Sequence, residues 1–527
     1  MIKPLPLGRS GFPALRENEA IYVDKTRLIC KIAQQSGKFF LARPRRFGKS
    51  LLISTFESLF KDGLTNFHGL EAESIWNDRR YPVAHLDFSG LKEFRSYEDF
   101  RVRLQGCIYR GFYPCGFDCM PDGGFRFIIE LGKWLKEQGS SSIVLLIDEY
   151  DSPLTAHLDD PGVFGSIRSL MGEFYAMIKE MDNCFRFVFI TGITKFQGAA
   201  IFSELNNLVD LTLREEYGDL LGYTDPEILK YFPEYLERAG NALGLSRSRL
   251  MDELREQYDG YCFEMTCTKH VYSPWSVLSF LDNPKIGFMP YWYDTAGQPT
   301  VLLKYLGGHA LERPEAYEAE KAVPYSALTA SQDYDRMNDA VLLLQTGYLT
   351  LKKLERHVFT LGYPNKEVAD AMARLYADLL LKNPDSSKLK LARLSSVLAN
   401  GSLEDVAALF NIAFESINYD RYPVVNENAC RAYLHVLLLG AALVTRAELS
   451  NAHGRSDLEV DAGNRHWIFE LKYAEKPSLA NVKLAEAVEQ MQKRRYGAEH
   501  LTTQTLIRAA LVFDGSARRF TQFALVP

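Results

Sequence analysis

Residues 39–60 read FFLARPRRFGKSLLISTFESLF, and this stretch limits the fold more than any other part of the chain. An apolar run, a basic loop ending in Gly48-Lys49-Ser50 and a helical pattern follow one another without a gap. A buried strand that turns through glycine into a helix aims backbone N–H groups and a helix N-terminus at the turn, and both attract phosphate. Lys49 is placed to reach the β- and γ-phosphates of a nucleotide and Ser50 to hold Mg²⁺. Against G-x-x-x-x-G-K-[ST] only the first glycine differs, with Arg43 in its place. The short GKS alone also fits an ordinary basic turn, so a partner motif is needed.

That partner is the continuous apolar strand Ile143–Ile147, which ends in Asp148-Glu149. An acid at such a strand end is where P-loop enzymes hold Mg²⁺. Asp148 is expected to contact the ion and Glu149 to polarise the attacking water. A third apolar run, Phe185–Thr191, ends in a threonine that either senses the γ-phosphate or merely caps a turn. Further buried strands are expected at Lys38–Ala42 and Tyr81–Phe88, with helices at Ser50–Lys61, Tyr97–Tyr109, Gly124–Gln138 and Ser166–Met181. Such alternation predicts an α/β domain with a mostly parallel sheet over residues 1–215.

From about Glu215 the texture changes. Asp225–Ala239 and Ser246–Tyr258 read as helices, with Asp225-Pro226 as a start signal. Aromatic segments follow at Tyr258–Phe263, Tyr272–Leu281 and Tyr291–Gly297. A helix at Tyr334–Gln345 leads into two β-rich runs, Tyr348–Leu354 and His357–Leu361, separated by Glu355-Arg356. This is either a small winged-helix module or a lid with a packing hairpin. Asn365–Asn400 and Ser402–Phe414 look helical, and residues 216–415 form the expected lid and middle region.

Residues 416–527 return to α/β texture. Glu427–Val444 reads as a helix, Gly454–Asp461 and His466–Tyr473 as paired strands, Leu479–Arg495 as a helix and Thr505–Phe513 as a strand. Alternate residues of a strand share a face. Glu470 and Lys472 therefore point one way, while Trp467, Phe469 and Leu471 point into a core. Asp457, on the preceding strand, can meet the first two across the hairpin. Two carboxylates can hold one Mg²⁺ that activates water, and Lys472 can orient that water or neutralise the transition state. Glu427 can complete the ligand set and Gln490 can orient Lys472 or a phosphate. Glu459 and Asp461 share the Asp457 face, so the metal pair admits another assignment. Ser456 stands where the nominal motif has proline.

Composition narrows the class. The chain has 527 residues, 47% of them apolar, and a net charge of −6, which excludes a disordered or low-complexity protein. The acidity gives no global nucleic-acid footprint, so such contacts need a local basic surface. Residues 421–527 carry 14 Lys/Arg against 11 Asp/Glu, with Lys493, Arg494 and Arg495 as the clearest basic run; a solvated helix end explains that run equally well. No stretch reaches the roughly 18 apolar residues of a membrane span, and the N-terminus lacks a signal-peptide core. A cytoplasmic protein with no membrane partner is expected. Cys30, Cys107, Cys184 and Cys430 are expected as reduced core residues. Cys115/Cys119 and Cys262/Cys267 lack zinc-site spacing.

The segments YVDKT (Tyr22–Thr26), RPRRFGKSLL (Arg43–Leu52), LLIDEYDSPL (Leu145–Leu154), ITGITKF (Ile190–Phe196), FSELNNL (Phe202–Leu208), YDGYCF (Tyr258–Phe263), LQTGYLTL (Leu344–Leu351) and YPNKEV (Tyr363–Val368) closely resemble the AAA-ATPase-like proteins of bacteria and archaea. The resemblance runs over nearly the whole chain. It implies a divergent P-loop ATPase, for which Arg43 is a normal loop residue, followed by a PD-(D/E)xK restriction-endonuclease-like α/β domain. By that reading Arg43, Pro44, Arg45, Arg46, Phe47, Gly48, Lys49, Ser50, Leu51 and Thr191 bind ATP. Ser50 and Asp148 hold its Mg²⁺. Glu427, Asp457 and Glu470 hold a nuclease Mg²⁺, and Glu149, Asp457, Glu470 and Lys472 are catalytic. The resemblance implies that ATP controls engagement of nucleic acid, DNA first, in defence against mobile DNA. A homo-oligomer is compatible with it, with Arg214 one candidate arginine finger among many. The competing class is a nucleotide-dependent regulatory scaffold whose nuclease-like domain binds without cutting. A stand-alone motor is weaker, since no helicase motif accompanies the nucleotide site.

Overall fold

The computed structural model describes residues 2–195, 205, 207–292, 320–329, 338–381, 393–441, 443–447, 450–451, 454–494 and 504–527. Most of Phe202–Leu208, residues 293–297, the centre of Asn365–Asn400 and Arg495 lie outside them. The chain divides into two compact units, one running to Val368 and the other covering Ala369–Pro527.

The first unit is built on five parallel strands: β1 (Gly37–Ala42), β2 (Val83–Asp87), β3 (Ile143–Asp148), β4 (Phe185–Gly192) and β5 (Leu208–Asp210), in the order β2-β3-β4-β1-β5. β3 and β4 are buried along their whole length, as strands covered on both faces must be, and this is why they read as unbroken apolar runs. β4 lies between the loop-bearing β1 and the acid-bearing β3. Leu41 is level with Thr191 and Ile147 with Ile190. The basic loop, Thr191 and Asp148-Glu149 therefore leave the sheet at one edge. β5, three residues long, has no clear signal in the sequence.

Helices of the middle region pack with the N-terminal segment in the same unit. Ile21 and Val23 share a core with Ile228, Phe232, Leu236, Leu250, Leu254, Tyr258 and Phe280. The expected helix Asp225–Ala239 is two helices, Asp225–Tyr231 and Pro233–Leu243. Pro233 lacks an N–H and its ring excludes a continuous turn. Thr224 caps the first, its N–H donating to Glu227 Oε2 at 2.8 Å. Beyond it lies a three-stranded antiparallel sheet of β6 (Lys321–Pro324), β7 (Thr350–Glu355) and β8 (Val358–Gly362), in the order β6-β8-β7, with helix Asp339–Thr346 between β6 and β7 in the chain. The hairpin turns at Arg356-His357, both with positive φ, the left-handed backbone that a two-residue turn between twisted strands requires.

The second unit carries a mixed sheet. Its strands are β9 (Val444–Ala447), β12 (Leu458–Ala462), β13 (Arg465–Ala474), β14 (Thr505–Asp514) and β15 (Arg519–Val526); β10 (Ser450–Asn451) and β11 (Gly454–Arg455) form a separate hairpin. The order is β15-β14-β13-β12-β9, and only β13 and β14 run parallel. A parallel pair needs a crossover, here containing helix Ala480–Arg494. Ala487 and Met491 of that helix pack on Ile468 and Ala510. Trp467 and Phe469 lie on the opposite face, where Phe410 of helix Leu403–Glu415 meets Phe469 at 5.6 Å. Helix Glu427–Gly440 stops short of Val444, which begins β9. The expected strand Gly454–Asp461 is interrupted at Ser456-Asp457, and β15 is a strand the sequence reading did not contain.

Among the described residues no helix is long and apolar enough to cross a membrane. All eight cysteines are unbridged.

Candidate functional site

In the first unit the basic loop joins β1 to helix Lys49–Asp62, with Gly48 at its N-cap. The left-handed positions of the turn are Arg46 (φ 69°) and Gly48 (φ 93°). Residues Arg45 to Leu52 line a cavity of about 480 Å³ together with Tyr22, Val23, Lys25, Lys92, Glu149 and residues of the middle region. Arg46 stacks over Trp275, 4.4 Å from its ring centroid. Phe47 is buried against Tyr261 and Phe263 at 4.8 and 5.0 Å, which anchors the loop to the YDGYCF segment.

Lys49 is only 6% exposed. Its Nζ donates to the carbonyls of Arg43 and Pro44, both at 2.9 Å. Burial lowers its pKa, while Asp148, Glu149 and Asp151 act in the opposite direction. Asp148 is buried and accepts a hydrogen bond from Thr191 Oγ1 at 2.5 Å. Glu149, in left-handed conformation, lines the cavity with its Oε2 3.8 Å from Lys92 Nζ. Arg43 and Pro44 are placed differently. Arg43 is buried, donating to the carbonyls of Ala42 and Thr212 at 2.8 Å and of Tyr217 at 3.1 Å. The lining of the 480 Å³ cavity includes neither residue.

Asp151 played no part in the sequence reading. It accepts hydrogen bonds from the N–H groups of Ile193 and Thr194 and from Thr194 Oγ1, at 3.1, 2.8 and 2.6 Å, and so ties the turn after β3 to the turn after β4. Gly192 permits this closure: a Cβ there would lie 2.5 Å from the Tyr150 ring. The signal was present in the DEYD spacing.

In the second unit Asp457, Glu470, Lys472 and Glu427 come together. Lys472 Nζ donates to Glu470 Oε1 at 2.9 Å and to Glu427 Oε1 at 3.2 Å. Glu470 is 0% exposed, and its Oε2 has no hydrogen-bond partner among the described residues. Burial, with Asp457 adding to it, pushes its carboxyl up to about 7 despite Lys472. Asp457 Oδ2 accepts the Leu471 N–H at 2.8 Å, and Oδ1 lies 3.7 Å from Arg431 Nη1. Arg431 was missed, although it sits one helical turn after Glu427. Glu459 and Asp461 are engaged elsewhere, flanking the buried His466 at 3.2 and 2.6 Å. Burial opposes the protonation of His466 and these two acids favour it, with a raised pKa as the outcome. Gln490 lies on helix Ala480–Arg494.

Among the described residues no three acidic, histidine or cysteine side chains form a ready-made metal set. Lys472 stands between the two glutamates, and Asp457 accepts a backbone N–H. The donor chemistry still suits a hard cation, because carboxylate oxygens are its ligands and Glu470 Oε2 is a desolvated, unused donor.

Residues 6–202 match the family model AAA-ATPase_like, described as a predicted AAA-ATPase, and residues 426–523 match the PD-(D/E)XK nuclease superfamily. A protein of Azotobacter chroococcum mcd 1, called "Uncharacterized protein in vnfD 5'region", is 30% identical over 485 residues, 90% of each chain. The chain belongs to the AAA-ATPase-like family. This AAA-ATPase-like protein therefore has an N-terminal ATPase-type domain and a C-terminal domain of the PD-(D/E)xK nuclease superfamily. Family membership implies a capacity to bind ATP. The crystal structure of Cdc6p from Pyrobaculum aerophilum aligns over 86% of this chain and 90% of its own at 11% identity, with a TM-score of 0.26; at that score the likeness carries no argument.

Proposed function

We propose that this AAA-ATPase-like protein binds and hydrolyses ATP in its first unit and cuts nucleic acid, DNA first, with its C-terminal domain, nucleotide state controlling engagement. The parts are residues 1–215 for the ATPase, 216–415 for the lid and middle region and 416–527 for the nuclease-like domain. The observation that carries the nuclease reading is Glu470: a fully buried carboxylate with one unpartnered oxygen beside Asp457 and Lys472. Two such groups repel and resist ionisation unless a cation joins them.

At the phosphate loop, Lys49 reaches the β- and γ-phosphates once its amine leaves the two carbonyls. Ser50 and Asp148 would hold the accompanying Mg²⁺, Thr191 keeps Asp148 oriented, and Glu149 orients a water. In the nuclease-like domain Asp457 and Glu470 would hold a Mg²⁺, which when bound polarises phosphate and lowers the pKa of bound water. Lys472 then turns from Glu427 and Glu470 toward the developing phosphorane charge. Defence against mobile DNA is the biological setting suggested by family resemblance alone.

A second reading has its own support. Lys472 bonded to both glutamates already neutralises much of the cluster, which suits a scaffold that binds nucleic acid without cutting. Plasmid and single-strand cleavage with Mg²⁺, with and without ATP, separates the two. Wild type should cut, while Lys472→Ala and Asp457→Asn should lose cleavage and keep cooperative melting. A wild-type protein that never cuts with Mg²⁺ or Mn²⁺ under either condition sinks the nuclease and leaves the scaffold.

A further inference from the structure

We infer that the first unit holds a second small-molecule site, beside the phosphate loop but separate from the nucleotide cavity, for a compact apolar ligand bearing one anionic group. The site is a cavity of about 330 Å³ walled by Phe263, Met265, Tyr325, Leu328, Leu344 and Leu351, with Arg43, Lys195, Asp210 and Arg214 as its charged lining. Its size lies at the lower end of small-molecule sites, about 300–1,000 Å³, and its make-up matches them: mostly apolar walls with a few polar groups.

Arg43 supplies the argument for an anion. Its side chain is 1% exposed, and three hydrogen bonds run to neutral carbonyls. The guanidinium stacks over the Phe263 ring, 4.6 Å from its centroid, and among the described residues Nε has no hydrogen-bond partner and no carboxylate lies within ion-pair distance. Asp210, whose field reaches Arg43, is bonded to Lys195 at 2.7 Å. Burial pulls the guanidinium down only to about 9, so it stays charged at neutral pH. Among the described residues the cavity lining holds three cations, Arg43, Lys195 and Arg214, against the single acid Asp210, so it carries an excess of positive charge that is costly in apolar surroundings. An anionic group on a ligand supplies what the protein does not. The apolar walls require the remainder of that ligand to be apolar. The position adjoins the nucleotide site, since the carbonyls of Arg43 and Pro44 hold Lys49 Nζ.

The test titrates the full chain with 8-anilinonaphthalene-1-sulfonate, an apolar monoanion, and with its neutral analogue N-phenyl-1-naphthylamine, both by fluorescence. Saturable binding of one sulfonate per chain is expected, with the neutral analogue at least tenfold weaker. Leu344→Trp and, independently, Met265→Trp fill the cavity and should each weaken binding at least tenfold while melting cooperatively; if one variant does not fold, the other reads the result. Millimolar ATP with Mg²⁺ should not displace the probe. Displacement by ATP, equal affinity for the neutral analogue, absence of saturable binding, or unchanged binding in a folded filled variant would each overturn the site. None of these readouts depends on hydrolysis or cleavage.

Discussion

Gly48 sits at φ 93° with open space around its missing Cβ, the nearest atom being Leu221 Cδ2 at 4.0 Å. Gly48→Ala therefore introduces backbone strain without a clash, about 1–2 kcal/mol. Thermal melting should fall by a few degrees and ATP affinity should drop with it; an unchanged melt would mean the turn relaxes. Lys49→Ala should abolish ATP binding, read by calorimetry with Mg²⁺, and leave the fold intact. Lys49 is buried rather than exposed; its removal frees two carbonyls and takes a cation from the field of Asp148, Glu149 and Asp151, a cost to stability but not to the fold. Glu470 sets a pH dependence. A carboxyl raised from 4.5 to about 7 contributes stability that is complete below the ordinary carboxylate pKa and is lost as pH rises through about 7. At pH 8 without divalent cations, Glu470→Gln should melt above wild type, by an amount on the order of 1–3 kcal/mol, and near pH 5 the two should converge. Mg²⁺ should then raise the wild type alone. A variant that melts below wild type at pH 8 would refute the buried, raised carboxyl.

At the scale of elements, the loop-bearing edge of the first unit depends on two turns held by one side chain. Asp151→Ala would leave the buried N–H groups of Ile193 and Thr194 unpaired, a loss of about 2–4 kcal/mol. Both stability and ATP affinity should fall, with Asp151→Asn in between; chemical denaturation and calorimetry read the two effects. The elements that were hard to foresee share a cause. β15 is an edge strand with six of its eight residues half-exposed or exposed, so its alternation is weak. Helix Glu427–Gly440 gives way to β9 inside one apolar run, where periodicity cannot tell a buried helix from a buried strand. β3 and β4 were legible because burial on both faces forces their composition.

The whole molecule is two compact units with separate cores. Sites with no shared partners contribute additively to stability, within roughly 0.5 kcal/mol. In the absence of nucleotide, the stability changes of Lys49→Ala and Glu470→Gln should therefore sum in the double variant, measured by denaturant unfolding at pH 8. A larger discrepancy would place the two sites in one cooperative unit. ATP with Mg²⁺ should raise a thermal transition of the wild type and not of Lys49→Ala.

What the sequence determined by itself was local or repetitive: that β1 to β4, β7, β8, β13 and β14 are strands, and the order of loop, acid pair and C-terminal Asp457, Glu470 and Lys472. Turn chemistry and two-sided burial leave their marks within a few residues of the chain. Only the tertiary structure decided where Arg43 points, because its partners Thr212 and Tyr217 lie 169 and 174 residues away. The same holds for Lys472, whose amine is divided between a neighbour two residues off and Glu427, 45 residues away. A charge's role depends on burial and on what faces it, and both are set by contacts that close only when the sheet is assembled.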